Sequence, residues 1–186
     1  AGCRNSEVDD PIAVDVDDSN AVEMLLVEAI DMDKLQWRKN EDETHAPNLK
    51  IPFKDAYAPD GTGPYTGWAK EMHEHGQVGG IFNFEDGKLN GRVVGWHENG
   101  QKLGDTHYRD GKADGPGTNW YSNGQKASEF RYQDGKMISI TVWKPNGQRC
   151  PVTNVVEGNG VMVEYEDDGT EARRMTYVNG VVMEDG

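Results

Sequence analysis

At 186 residues, with 19 basic and 33 acidic side chains, the chain carries a formal net charge of −14. That balance makes nucleic acid and an anionic membrane surface poor electrostatic partners, and the sequence has no run of about 18 apolar residues that could span a bilayer. Hydrophobic residues make up only 35% of it beside 23 glycines, so the fold must manage with modest burial, as stacked repeats do when each unit contacts only its neighbours.

The first residues read Ala-Gly-Cys, and a polar, acidic stretch follows from Arg4 to Ser19. Residues 1–19 are therefore expected to be a flexible acidic tether. Its "DVDDS" segment, beginning at Asp15, lacks the glycine and distal glutamate of a calcium loop. Ala-Gly-Cys is similar to the last three positions of a bacterial lipobox. That resemblance implies lipidation at Cys3, an address in the cell envelope, and membrane contact through the anchor alone.

Residues 20–49 read as a helix and lead-in. Asn20 and Glu23 form a capping-box-like start. Val22, Leu25, Leu26 and Ala29 then fall at i, i+3, i+4 and i+7, a stripe suited to packing on a sheet. The segment from Asp31 to Asn48 reads as an acidic loop.

Residues 50–186 read as a β-repeat domain. From Gly76 onward, turn glycines recur every 11 to 13 residues up to Gly180. Two half-units alternate. One is aromatic-x-x-Asn-Gly-Gln, as in "WHENGQ", "WYSNGQ" and "WKPNGQ" from Trp96, Trp120 and Trp143. The other is aromatic-x-Asp-Gly-Lys, as in "FEDGK", "YRDGK" and "YQDGK" from Phe84, Tyr108 and Tyr132. Asn-Gly and Asp-Gly between alternating apolar residues signal two-residue type I′ hairpins. The predicted fold is mainly β: an extended, twisted antiparallel meander of about eleven or twelve strands from tandem hairpins, with a short N-terminal helix.

Two-residue turns also predict cross-strand pairs. Trp96 would face Leu103, Trp120 Ala127, Trp143 Cys150, Tyr165 Ala172 and Met72 Gly79. In the other half-unit Phe84 would face Leu89, Tyr108 Ala113, Tyr132 Met137 and Tyr177 Val182. Cys150 is then a packing residue beneath a tryptophan. Odd separations along the strands place the Trp and Tyr ladders on opposite faces. The segment from Lys136 to Pro145 is one residue shorter than its counterpart and calls for a bulge.

The 24-residue unit resembles the bacterial variant of the MORN repeat, which carries Trp/Tyr-x-x-Asn-Gly-Gln-Lys and then Tyr-x-Asp-Gly-Lys. Residues 65–148 match it well and 149–180 loosely. The resemblance implies a repeat-bearing envelope protein; some relatives of this type are labelled antitoxins.

No catalytic constellation is legible. His73 and His75 with Glu74 suggest a metal, but His73 and its equivalent His97 lie two strands apart, roughly 10 Å at ~4.8 Å per strand. That is too far for ~2.0–2.1 Å ligation, so both histidines read as solvated repeat positions. No nucleophile sits beside a base, and no enzyme activity, cofactor or metal is expected. Three non-enzymatic classes remain. The leading one is a scaffold for an unidentified protein partner, bound through a surface formed by Trp68, Trp96, Trp120, Trp143 and Tyr165 on the face opposite the helix. The others are a glycan or cell-wall binder using the same rings, and an acidic antitoxin-like neutraliser of a basic partner.

Overall fold

The computed structural model describes residues 19–39 and 54–183. The fold is mainly β, with antiparallel hairpin-like strands and one short helix near the N-terminus, as the turn spacing predicts. Helix α1 (Ser19–Glu28) leads into β1 (Ile30–Asp31), a 3-10 turn (Met32–Lys34), β2 (Gln36–Lys39) and β3 (Lys54–Tyr57). Then come β4 (Gly67–Met72), β5 (Val78–Glu85), β6 (Lys88–Leu89), β7 (Gly91–Trp96), β8 (Lys102–Arg109), β9 (Lys112–Trp120), β10 (Lys126–Gln133) and β11 (Lys136–Val142). The last strands are β12 (Gly160–Tyr165), β13 (Glu171–Val178) and β14 (Val181–Met183).

Two turn chemistries alternate. At Asp86-Gly87, Asp110-Gly111 and Asp134-Gly135 both central residues have positive φ, the type I′ signature. At Asn99-Gly100, Asn123-Gly124 and Asn146-Gly147 only the glycine does. There the Gly100 N–H donates to His97 O at 2.9 Å, and the His97 N–H to Gln101 O at 2.8 Å. The Gln101 N–H in turn donates to Asn99 Oδ1 at 3.1 Å. This is a three-residue loop, a type I turn followed by a left-handed bulge glycine.

The uniform type I′ expectation is thus corrected at the Asn-Gly turns, and the pairing moves with it. Trp96 stands opposite Lys102, Trp120 opposite Lys126, Trp143 opposite Arg149, Tyr165 opposite Glu171 and Met72 opposite Val78. The bulge displaces the predicted partners Leu103, Ala127, Cys150, Ala172 and Gly79 by one place. In the Asp-Gly half-units, Phe84–Leu89, Tyr108–Ala113, Tyr132–Met137 and Tyr177–Val182 pair as predicted.

The Asp-Gly turns also bond to one another. Gly87, Gly111 and Gly135 donate their N–H groups to Tyr65, Leu89 and Ala113 O, at 2.8, 2.8 and 2.9 Å. Each donor therefore finds its acceptor in the preceding unit.

A single unbroken meander is not what the chain forms. A nine-stranded sheet runs β1-β4-β5-β7-β8-β9-β10-β11 with β6 on β5; β12-β13-β14 form a second sheet and β2-β3 a third. β1 joins β4 in parallel. The break lies between Val142 and Gly160, where Pro145 and Pro151 offer no ladder N–H. Side chains replace part of the ladder: Val163 N–H donates to Thr153 Oγ1 at 3.1 Å and Val161 N–H to Asn154 Oδ1 at 2.8 Å. The second sheet is fastened back through Gly158 N–H to Ile138 O at 2.9 Å, Gly180 N–H to Gly158 O at 2.8 Å and Met137 N–H to Gly180 O at 3.0 Å. Ile138 itself is the bulge of the shortened segment.

The core lies on one face, where Phe84, Tyr108, Tyr132 and Tyr177 are buried in a cluster that also holds Leu35, Phe130 and Met162. Glycine makes room for the rings. A Cβ on Gly117 would fall 2.2 Å from the ring of Phe130, its cross-strand partner. The lead-in read as an acidic loop contributes here as well: β2 pairs with β3, and Trp37 meets Phe84 edge-on at 6.0 Å. Apolar Leu35 and Trp37, not the flanking charges, decide that segment.

Gly100 and Gly158 are both left-handed, but only Gly158 has backbone in the way, with Gly180 N 2.6 Å from a built Cβ. Gly100→Ala is expected to cost about 1–2 kcal/mol of left-handed strain, and Gly158→Ala distinctly more, by urea unfolding. Tyr108 Oη is buried without a partner, whereas Tyr132 donates to Tyr177. Tyr108→Phe should be neutral or stabilising and Tyr132→Phe should cost about 1 kcal/mol. Burial raises both phenols above their ordinary value of 10.0. A folded value above the unfolded one gives stability that is complete below pH 10 and lost as pH rises further, and an alkaline melting series should show Tyr108→Phe with the flatter decline.

Candidate interaction surface

Trp68 on β4, Trp96 on β7, Trp120 on β9, Trp143 just after β11 and Tyr165 at the end of β12 are all half-buried. Trp96 shares a face with Val94, and the core residues Val93 and Tyr108 point to the other. At Trp68 and Trp96 the two ladders do lie on opposite faces, as strand parity predicts, but Tyr165 packs against the inner core cluster and bonds Cys150.

The helix, however, sits on the Trp face. Val22 and Leu25 of α1 pack with Val94, Trp68 and Trp96, and Lys70 Nζ donates to Leu26 O at 2.7 Å at the helix's C-terminal end. The placement of the ladder opposite the helix is therefore corrected. The reason is local composition. Across the sheet the outward row reads Lys70, Ile81, Val94, Asp105, Thr118, Glu129, Thr141. Only Ile81 and Val94 offer an apolar seat, so the helix covers the first rings and leaves Trp120 and Trp143 beyond its reach.

Lysines dress those later rings. Lys102 Nζ lies 5.4 Å from the Trp120 centroid, Lys126 5.4 Å from Trp143 and Lys144 5.2 Å from Tyr165. The bulge sets up the first two: it puts Lys102 opposite Trp96 and Lys126 opposite Trp120, from where each stem crosses to the next ring, whereas Lys144 follows Trp143 directly in the chain. Such cation–π contacts contribute about 0.5–1 kcal/mol at exposed sites.

A second ladder joins neighbouring loops. His73 Nε2 bonds Trp96 O at 3.0 Å, His97 Nε2 bonds Trp120 O at 2.9 Å, and Tyr121 Oη donates to Trp143 O at 2.7 Å. Asn99 and Asn123 Nδ2 donate to Ser122 O and Pro145 O. His73 and His97 are thus half-buried tie points, a correction to their reading as solvated positions. His75 is exposed, stacks on His73 at 5.4 Å and bonds Gln77. Among the described residues, no His/Cys/Asp/Glu group has a metal-binding arrangement.

Cys150 is a buried free thiol in the inner core. Burial pushes the thiol up, but donation from Thr153 and Tyr165 outweighs it, and the net direction is downward. The Tyr165 phenol, whose proton is held by that sulfur, rises to about 12. Cys3 lies outside the described residues.

Sequence reading missed the most exposed apolar positions. Val178, Val181, Val182 and Met183 flank the last turn, Val156 lies in the turn before Gly158, and Met24 and Val27 project from the helix. A signal was present in "YVNGV", where Val181 replaces the lysine found at Lys112 and Lys136.

No protein-family model, curated protein or solved structure matches the chain.

Trp96→Ala is expected to cost more stability than Trp120→Ala, each below the ~3–5 kcal/mol of a fully buried ring. Only Trp96→Ala should speed amide exchange across α1. Equal exchange in the two variants would deny Trp96 its part in seating the helix.

Proposed function

We propose that the chain is a non-enzymatic MORN-variant repeat scaffold that binds a protein partner at the bacterial cell envelope, tethered through a lipid on Cys3. The observation that carries this reading is the uncovered half of the ladder. Trp120 and Trp143 are half-buried beyond the helix and repeat at a two-strand spacing of roughly 10 Å. Large aromatic rings suit the anchors of protein interfaces. The half-unit motifs support the family, and the lipobox-like Ala-Gly-Cys tripeptide supports the address.

A photo-crosslinking residue at position 120 or 143 is expected to capture the same protein in intact envelopes, and one at Arg109, on an Asp-Gly turn, to capture none. Equal capture from all three positions would overturn the ladder reading. Cys3→Ser should move the product from the membrane to the soluble fraction; persistence in the membrane would rule out the anchor.

A further inference from the structure

The break in the meander leaves a cleft. Had β12 continued the sheet beside β11, its side chains would have closed over the inner face. Instead the chain leaves at Trp143, and a cavity of about 420 Å³ opens between the loop ends of β8 to β11 and the end of β12 with its turn into β13. That volume lies within the usual range for small-molecule sites, about 300–1,000 Å³.

Its lining has a definite chemistry. Trp120, Tyr121 and Tyr165 provide aromatic surface, and Glu164, Glu166 and Asp167 provide carboxylates; no lysine or arginine lines it. Glu164 is neutralised by Arg173 and Asp167 accepts from Ser122. Glu166 has no side-chain partner among the described residues, and its carboxylate stands exposed at the mouth. Deeper in, Ser128 is 6% exposed and its Oγ accepts from Asn119 Nδ2 at 3.3 Å. That bond leaves the Ser128 O–H to donate. Beside it, Asn119 Oδ1 is buried without any partner. A buried acceptor of this kind is costly unless something donates to it.

We propose that this cleft binds a small hydroxylated organic cation, a compound joining a protonated amine to one or more hydroxyls. The amine is met by Glu166 and Asp167 at the mouth, with the rings of Trp120 and Tyr165 alongside. The hydroxyls reach Ser128, which lines the cleft and is held by the Asn119 amide behind it. The molecule already displays the recognition mode, since Lys102 and Lys144 place ammonium groups on these same two rings. An anion is disfavoured by the carboxylates, and a purely apolar guest would leave the polar floor unanswered. The cleft shares the Trp120 ring with the partner surface proposed above, but its carboxylates and its serine lie outside that surface, so variants at Glu166, Asp167 and Ser128 test it separately.

The probes are glucosamine and ethanolamine, with glucose as the neutral control, titrated calorimetrically into the whole chain. Glucosamine is expected to bind with a roughly millimolar Kd, and glucose at least about tenfold more weakly, one decade being the scale of a single ammonium–aromatic and carboxylate contact. Glu166 and Asp167 are exposed loop residues, so the E166Q/D167N double variant should keep its melting temperature and bind glucosamine no better than glucose. Ser128→Ala should weaken glucosamine and glucose alike and leave the preference for glucosamine in place, because the hydroxyl contact is common to both and the amine contact is not. Equal affinity for glucose and glucosamine, an unaffected double variant, or no saturable binding of either cation would overturn the proposal.

Discussion

The molecule rests on where a tight turn leaves its glycine N–H. In the Asp-Gly turns both central residues are left-handed, and the glycine donor is directed out of its own hairpin. A buried or half-buried N–H needs an acceptor. It finds one in the unit before, at Tyr65, Leu89 or Ala113 O. These bonds hold neighbouring hairpins at a fixed interval along the edge nearest the core, and the Phe and Tyr rings of the same half-units then stack into one continuous cluster. A chain with few hydrophobic residues can thus bury large rings because each is placed by backbone bonds in addition to its own packing.

The other edge of the sheet follows from one additional residue. Aromatic-x-x-Asn-Gly-Gln is longer by one than aromatic-x-Asp-Gly-Lys, and the surplus is absorbed as a bulge. With the bulge, Lys102, Lys126 and Arg149 stand opposite Trp96, Trp120 and Trp143 in place of apolar residues. The outer ladder is therefore amphipathic, half indole and half ammonium, while the inner ladder is fully buried. Loop-to-loop bonds from His73, His97 and Tyr121 to the carbonyl of the next ring-bearing residue keep the rings at a common spacing. Both ladders come from one repeat, and their different exposure comes from a difference in turn length.

Much of this was legible in the sequence where it depends on local chemistry. Glycine intervals mark the hairpins, and Asp-Gly fixes the pairing of Tyr108 with Ala113 and Tyr132 with Met137. Asn-Gly misled because the same dipeptide serves two turns. Whether Asn99 adopts positive φ or instead accepts the Gln101 N–H through its side chain depends on loop length, and the extra residue was the available clue. Non-local packing was harder to see. That Leu35 and Trp37 would join the core, or that α1 would choose the Trp face, depends on apolar positions spread over distant strands such as Ile81 and Val94. The spacing of the tryptophans could be read, but not the helix over Trp68 and Trp96 nor the packing of Tyr165 against the inner core.

The interruption after Val142 shows how a repeat array gains a local feature without losing its framework. Pro151 removes a ladder donor, and Thr153 and Asn154 supply side-chain acceptors to Val163 and Val161, so the backbone is satisfied without a continuous sheet. Gly158 and Gly180 then meet at contacts too close for any Cβ and fasten the second sheet to Met137 and Ile138. The bonds that join ordinary units are kept at the Asp-Gly edge, while the Asn-Gly edge opens. An array built to this rule closes along its glycine-bonded side and can part only on the side where loops are joined by longer, adaptable side chains. That is why the cleft lies at the aromatic end of the strands, beside Trp120 and Tyr165, and not among the buried tyrosines.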